Sequence, residues 1–181
     1  MNKIRILISL AALLVFTAAR TPGQPLDAEN GVKWLTFEQA IELNKKEPRK
    51  ILIDLYTDWC GWCKKMDKDT YAQAGIYQYI NENFYAVKFD AEQAEDVQFN
   101  GHTFRFIPSG RNGYHELAAA LTKNNLSYPM TVFMDEELRI ITNLPGYQGA
   151  AFFDVVLHYF GEGKFKDTPW EEYQKQYVSK L

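Results

Sequence analysis

The stretch Trp59-Cys60-Gly61-Trp62-Cys63-Lys64 decides how this chain is read. It follows an apolar run, Ile51-Leu52-Ile53-Asp54-Leu55-Tyr56, with the look of a strand, and precedes a segment with the look of a helix. Cys60 and Cys63 are the two cysteines of the protein. At i and i+3 they share one helical face, close enough to close a small disulfide ring. A helix beginning near Cys60 would favour a thiolate there through its unpaired N–H groups and its dipole. The favoured reading is a redox dithiol. Two others stand beside it. A structural bridge across so few residues closes almost no loop and restricts the unfolded chain little. Half of a zinc site would need two more soft ligands, and the chain offers His102, His115 and His158, scattered along it.

Asp54 is the odd residue in its strand, which is otherwise apolar on both faces and is expected to lie centrally in a sheet. A buried carboxylate costs several kcal/mol unless paired or protonated. Either the strand turns Asp54 toward a lysine or a wet edge, or Asp54 is a buried proton acceptor for a thiol, its pKa raised by desolvation. Its place six residues before Cys60 favours the second reading.

At the N-terminus, Lys3 and Arg5 precede an apolar run from Ile6 to Phe16 and then Thr17-Ala18-Ala19. This is the pattern of a secretory signal peptide over residues 1–19. About 11 apolar residues are too few to span a bilayer core as a helix; an uncleaved anchor is the alternative. Residues 20–31 read as a linker and 32–181 as the folded domain. Export would place the dithiol where disulfides form and persist. A net charge of −3 and no basic run give no reason to expect nucleic-acid binding.

Val32 and Trp34 read as a short strand. Thr36 can cap a helix with Phe37, Ala40, Ile41 and Leu43 on its apolar face. Ala74 to Asn83 reads as a helix with Ile76, Tyr77 and Ile80 on one face, and Phe84 to Asp90 as a strand. Residues 91–113 read as an insert built on a hairpin, because Asn100-Gly101 between alternating apolar residues is a strong turn signal. Tyr114 to Leu121 has helical propensity, with His115 on the surface. Tyr128-Pro129 opens an apolar strand, Met130 to Met134, and Leu138 to Asn143 pairs back on it. Helices follow over Ala150 to Phe160 and from Thr168, with Thr168 as cap and Pro169 at the first helical position.

From about Val32 to Phe160 this order resembles the thioredoxin superfamily. It is most similar to exported thioredoxin-like proteins and to the C-terminal domain of the membrane electron-relay thiol:disulfide interchange protein. The resemblance implies an α/β thioredoxin fold, a central mixed sheet flanked by helices, here with an inserted β-hairpin. It also implies roles: Cys60 the exposed nucleophile, Cys63 the resolving cysteine, Asp54 the acid taking the resolving thiol's proton. Trp59 matches the aromatic beside the dithiol and Pro129 a cis-proline opposite it, while the backbone of Tyr128 pairs with substrate like an added strand. Gly61-Trp62 stands where ordinary thioredoxin has Gly-Pro, so the redox potential does not carry over. Gly61 and Trp62 complete the expected substrate-contacting set.

The expected function is an extracytoplasmic, periplasmic thiol-disulfide oxidoreductase reducing protein disulfides, with the Cys60–Cys63 pair as its redox group and neither metal nor other cofactor. Its partners would be protein thiols and disulfides, with a membrane electron-relay thiol protein as donor. Alternatives are a disulfide oxidase or isomerase, a non-catalytic binding module using Trp59, Trp62 and Tyr128, and a metal-binding dithiol.

Overall fold

The computed structural model describes residues 30–110, 113–179 and 181. The expected signal peptide and nearly all of the expected linker lie outside these residues. Among the described residues, no helix is long and apolar enough to cross a membrane.

The chain begins its regular structure with α1 (Phe37–Lys46), started by a reciprocal cap. Thr36 Oγ1 accepts from the Gln39 N–H at 3.2 Å, and Gln39 Oε1 accepts from the Thr36 N–H at 2.9 Å, satisfying two donors that the first turn leaves open. Strand β1 (Ile51–Tyr56) leads to α2 (Gly61–Met66), which widens into a π-helical turn at Asp67–Tyr71. Helix α3 (Ala74–Asn83) and strand β2 (Tyr85–Asp90) follow. Two small hairpins come next, β3 (Val97–Phe99) with β4 (His102–Phe104), and β5 (Phe106–Ile107) with β6 (Tyr114–His115). Then come α4 (Glu116–Leu121), β7 (Met130–Met134), β8 (Ile140–Pro145), α5 (Ala150–Gly161) and α6 (Trp170–Gln176).

The four-stranded sheet has the order β2-β1-β7-β8. β1 is interior, parallel to β2 and antiparallel to β7, with both its faces covered, and its sequence is apolar apart from Asp54. Alternation along the strands separates two cores. Ile51, Ile53 and Leu55 pack with Phe37, Ile41, Val132 and Leu117 under α1 and α4. Leu52, Ala86 and Phe133 pack with Met66, Ile76, Ile80, Phe153 and Leu157 under α2, α3 and α5. Asp54, in phase with Leu52, belongs to the second face.

Several expectations are corrected. Val32 to Trp34 is not a strand; Leu35 alone makes an isolated bridge, to Val87. Leu43 is exposed while Asn44 is buried, because at 100° per residue Phe37, Ala40, Ile41 and Asn44 form one arc and Leu43 falls outside it. The Asn44 side chain stays satisfied by donating to the Arg49 carbonyl at 2.8 Å. The Asn100-Gly101 hairpin forms, with both residues at positive φ (49° and 78°), the geometry of a two-residue primed turn. A second hairpin accompanies it: Tyr114 and His115 are strand, not helix, pairing with Ile107 and Phe106. His115 is buried rather than on the surface. Its Nδ1 caps α4 by accepting from the Leu117 N–H at 3.2 Å, and its Nε2 lies 3.0 Å from the Glu95 carbonyl. At the C-terminal end, Pro169 is the cap and Trp170 the first helical residue, since ψ of 142° at Pro169 is not helical.

Candidate functional site

The end of β1 and the start of α2 set the site. Cys60 is the N-cap of α2, with extended backbone (φ −74°, ψ 100°). Its Sγ accepts from the Cys63 N–H at 3.0 Å, and the two sulfurs are joined in a disulfide with Cα atoms 5.3 Å apart. The helix therefore offers a peptide N–H to the sulfur that would carry charge once the bond opens. The expected exposed nucleophile is corrected: in this disulfide state Cys60 is 4% exposed and Cys63 3%. Neighbouring aromatic rings, not the sulfurs, form the surface.

Trp59 and Trp62 are 61% and 60% exposed. The Trp59 indole N–H donates to both Glu92 carboxylate oxygens at 3.1 Å, and its ring meets Tyr128 edge-on at 6.0 Å. The Trp62 ring leans on Tyr147 at 5.5 Å, with the Lys65 ammonium 5.5 Å from the same tyrosine ring. A side chain at Gly61 would meet nothing within 4 Å, so the backbone between the two tryptophans is open to an approaching chain. The Tyr128–Pro129 peptide is cis, and the Pro129 carbonyl accepts from the Gly146 N–H at 2.8 Å. Contact between Trp59 and Tyr128 brings the residue before Cys60 against the residue before Pro129. Burial pushes the Tyr128 hydroxyl up to about 12, with Glu92 and Asp90 adding to it.

Asp54 is 1% exposed and faces its register partner Lys88 on β2. Lys88 Nζ donates to Asp54 Oδ2 at 2.5 Å and also to Asp67 Oδ1. Asp54 Oδ1 is buried without a hydrogen-bond partner among the described residues. Burial pushes the Asp54 carboxyl up to about 6 against the opposing pull of Lys88. Burial also works against the Lys88 ammonium, but Asp54 and Asp67 outweigh it and raise its pKa. Trp34, Tyr56 and Tyr71 place their rings 5.0–5.6 Å from Nζ, within range of cation–π attraction. Asp54 is thus turned toward a lysine, and its carboxyl has a raised proton affinity.

Sequence reasoning missed Lys88, Asp67, Glu92 and Tyr147. For Lys88 a signal existed: a single cation in the apolar strand Tyr85–Asp90, complementary to the single anion in β1. Of the histidines weighed as zinc ligands, His115 is engaged as above and His158 has Nδ1 2.9 Å from the Asp154 carbonyl oxygen.

Residues 19–152 match the family model Thioredox_DsbH, described as a protein of unknown function, DUF255. The chain belongs to this family. Among curated relatives, it is similar to an uncharacterized protein of Caenorhabditis elegans, 27% identical over 116 residues, 64% of this chain and 14% of that protein. It is likewise similar to the protein disulfide-isomerase of Gallus gallus, 30% identical over 110 residues, 58% of this chain and 21% of that protein. Spermatogenesis-associated protein 20 of Rattus norvegicus is 31% identical over 88 residues, 48% of this chain and 11% of that protein. The chain thus spans between 11% and 21% of the length of these relatives. Among solved structures, a thioredoxin-fold protein from Helicobacter pylori superposes with a TM-score of 0.55 at 22% identity, covering 71% of this chain and 83% of that one. A DsbH oxidoreductase superposes with a TM-score of 0.54 at 18% identity, covering 80% and 95%. These likenesses show the thioredoxin fold. This Thioredox_DsbH member has the thioredoxin fold and carries the Cys60–Cys63 pair.

Proposed function

We propose that this Thioredox_DsbH protein is an extracytoplasmic thiol-disulfide oxidoreductase that reduces protein disulfides. The observation that carries the reading is Cys60 Sγ at the cap of α2, accepting the Cys63 N–H, with a buried, proton-avid Asp54 in the preceding strand. In the dithiol form the Cys60 thiolate attacks one sulfur of a substrate disulfide. A Cys60–substrate bond forms, the substrate S–S bond breaks, and the departing thiolate takes a proton from solvent. Cys63 gives its proton to Asp54 and attacks Cys60 Sγ. The Cys60–Cys63 bond forms and the second substrate thiolate leaves, so two electrons have passed from the protein to its substrate. Regeneration requires a dithiol donor, and a membrane electron-relay thiol protein fits that chemistry. The open backbone at Gly61, between exposed Trp59 and Trp62 and beside Tyr128, would receive the substrate chain. Export is supported by the charge and hydropathy pattern of residues 1–19.

Cys60→Ser abolishes dithiol-driven reduction of a protein disulfide under this reading, and Cys63→Ser accumulates mixed disulfides with substrate. Undiminished activity in Cys60→Ser would overturn it. Fractionation of the expressing cells tests the compartment, and full recovery of the unprocessed chain in the cytosol would sink that part. A second reading, isomerase or oxidase, is favoured by the similarity to the protein disulfide-isomerase of Gallus gallus. The reduction potential separates the two: a value near −270 mV, roughly that of thioredoxin, supports reduction, and roughly −180 to −120 mV supports isomerisation or oxidation.

A further inference from the structure

Asp67 lies one turn beyond Cys63, its N–H donating to the Cys63 and Lys64 carbonyls. Its own carbonyl accepts from the Ala72 N–H at 3.1 Å, closing the wide π turn. Such turns recur inside helices at functional positions. Here the turn delivers the Asp67 carboxylate to Lys88, whose ammonium already donates to Asp54. The three side chains step outward from core to surface: 1% exposed at Asp54, 20% at Lys88 and 44% at Asp67. Lys88 and Asp67 line a cavity of about 400 Å³ together with Val32, Trp34, Tyr71 and Ala72.

We infer that Asp67 is a positioning residue of the redox site: it keeps the Lys88 ammonium divided between two carboxylates and thereby keeps Asp54 ready to take the proton of Cys63. The inference rests on the reading of Asp54 as proton acceptor given above. An ammonium has three N–H donors and no acceptor, so it serves both carboxylates at once and its single positive charge is shared between two anions. The titratable and charged groups that face Asp54 are Lys88 from β2, Asp67 and Tyr71 from the π turn, and Tyr56 along β1 itself. Of these, Lys88 and, more weakly, the Tyr71 hydroxyl favour the ionised carboxylate, and Asp67 opposes it. Removing the Asp67 charge leaves Lys88 wholly to Asp54 and takes away a repelling neighbour, and both changes let Asp54 lose its proton at lower pH. A residue that merely stabilised the end of α2 would do neither.

The test is the titration of the Asp54 carboxyl by carbon NMR in the oxidised full chain, which needs no turnover. Failure here therefore differs from failure of the reductase reading, which the cysteine variants decide. Asp67→Asn lowers the Asp54 midpoint by about one pH unit, and Asp67→Glu, which keeps the charge, leaves it in place. In the Lys88→Gln background the effect of Asp67→Asn shrinks to less than half, because the intermediary is gone. An unmoved or raised midpoint in Asp67→Asn overturns the inference, as does an equal shift with Lys88→Gln, which would mean direct repulsion without Lys88. Asp67→Ser gives the same reading if the Asn variant does not fold. In the reductase assay, the pH profile of release from the mixed disulfide moves with the midpoint.

Discussion

Asp54 and Lys88 are register partners on the parallel strands β1 and β2, and Lys88 Nζ donates to Asp54 Oδ2 at 2.5 Å. The pair lies on the same face of the sheet as Leu52 and Ala86, beside the rings of Trp34, Tyr56 and Tyr71. Lys88 does not fully offset the burial of Asp54, which is why the carboxyl still titrates at about 6.

That imbalance makes stability depend on pH. The folded-state pKa of about 6 lies above the ordinary 3.8, so the folded chain holds this proton more tightly than the unfolded one. The associated stability is complete below pH 4 and is lost as pH rises through 6. A difference of about two pKa units corresponds to about 3 kcal/mol. Asp54→Asn, which cannot ionise, is therefore more stable than the wild type at pH 7.5 by about 1–3 kcal/mol. The gap closes by pH 4. Urea unfolding of the oxidised proteins at the two pH values measures this, and a gap independent of pH would contradict it.

The exposed tryptophans are expected to act on substrate rather than on the fold. Trp59→Ala and Trp62→Ala change unfolding free energy by no more than about 0.5 kcal/mol each, as exposed substitutions commonly do. Reduction of a protein disulfide slows about fivefold, the equivalent of about 1 kcal/mol of lost contact. Reduction of a small aromatic disulfide is unchanged. Equal losses on both substrates would point to a disturbed dithiol rather than a lost docking surface.

The Cys60–Cys63 bridge spans a sequence separation of three. Restricting so short a loop in the unfolded chain is worth no more than about 2 kcal/mol. Oxidised and reduced forms should accordingly differ by at most that amount in denaturant unfolding. A much larger difference would mark the bridge as structural.

Glycine at 113 is required by the second hairpin. Its φ is 132°, and a Cβ there would lie 2.3 Å from Phe106 Cζ and 2.6 Å from the Ile107 carbonyl oxygen. Gly113→Ala destabilises by about 1–3 kcal/mol. Gly101→Ala, at φ 78° with nothing within 4 Å, costs about 1 kcal/mol, from backbone preference alone. Thermal unfolding of the two variants ranks them.

What the sequence determined by itself lies within short spans of chain. The strand that ends before Cys60, the dithiol at a helix start, the Thr36 cap, the turn at Asn100-Gly101 and the helix Ala74–Asn83 all follow from neighbours a few residues apart. Their signals are backbone conformations and local hydrogen bonds that need no distant partner. The oddity of Asp54 was legible too, because one carboxylate in an apolar strand demands an explanation.

Only the tertiary structure showed what Asp54 faces. Lys88 is 34 residues from Asp54, and Asp67 is 21 residues from Lys88. They meet because β1 and β2 pair in one register and α2 widens at Asp67. A shift of one residue in that pairing would turn Lys88 to the opposite face of the sheet. The same holds for His115, drawn into the interior when Tyr114–His115 pairs with Phe106–Ile107 against its local helical propensity. Register is a relation between distant strands, and no local pattern carries it. The dithiol is therefore written in six consecutive residues, while the charges placed around Asp54 depend on the folded sheet.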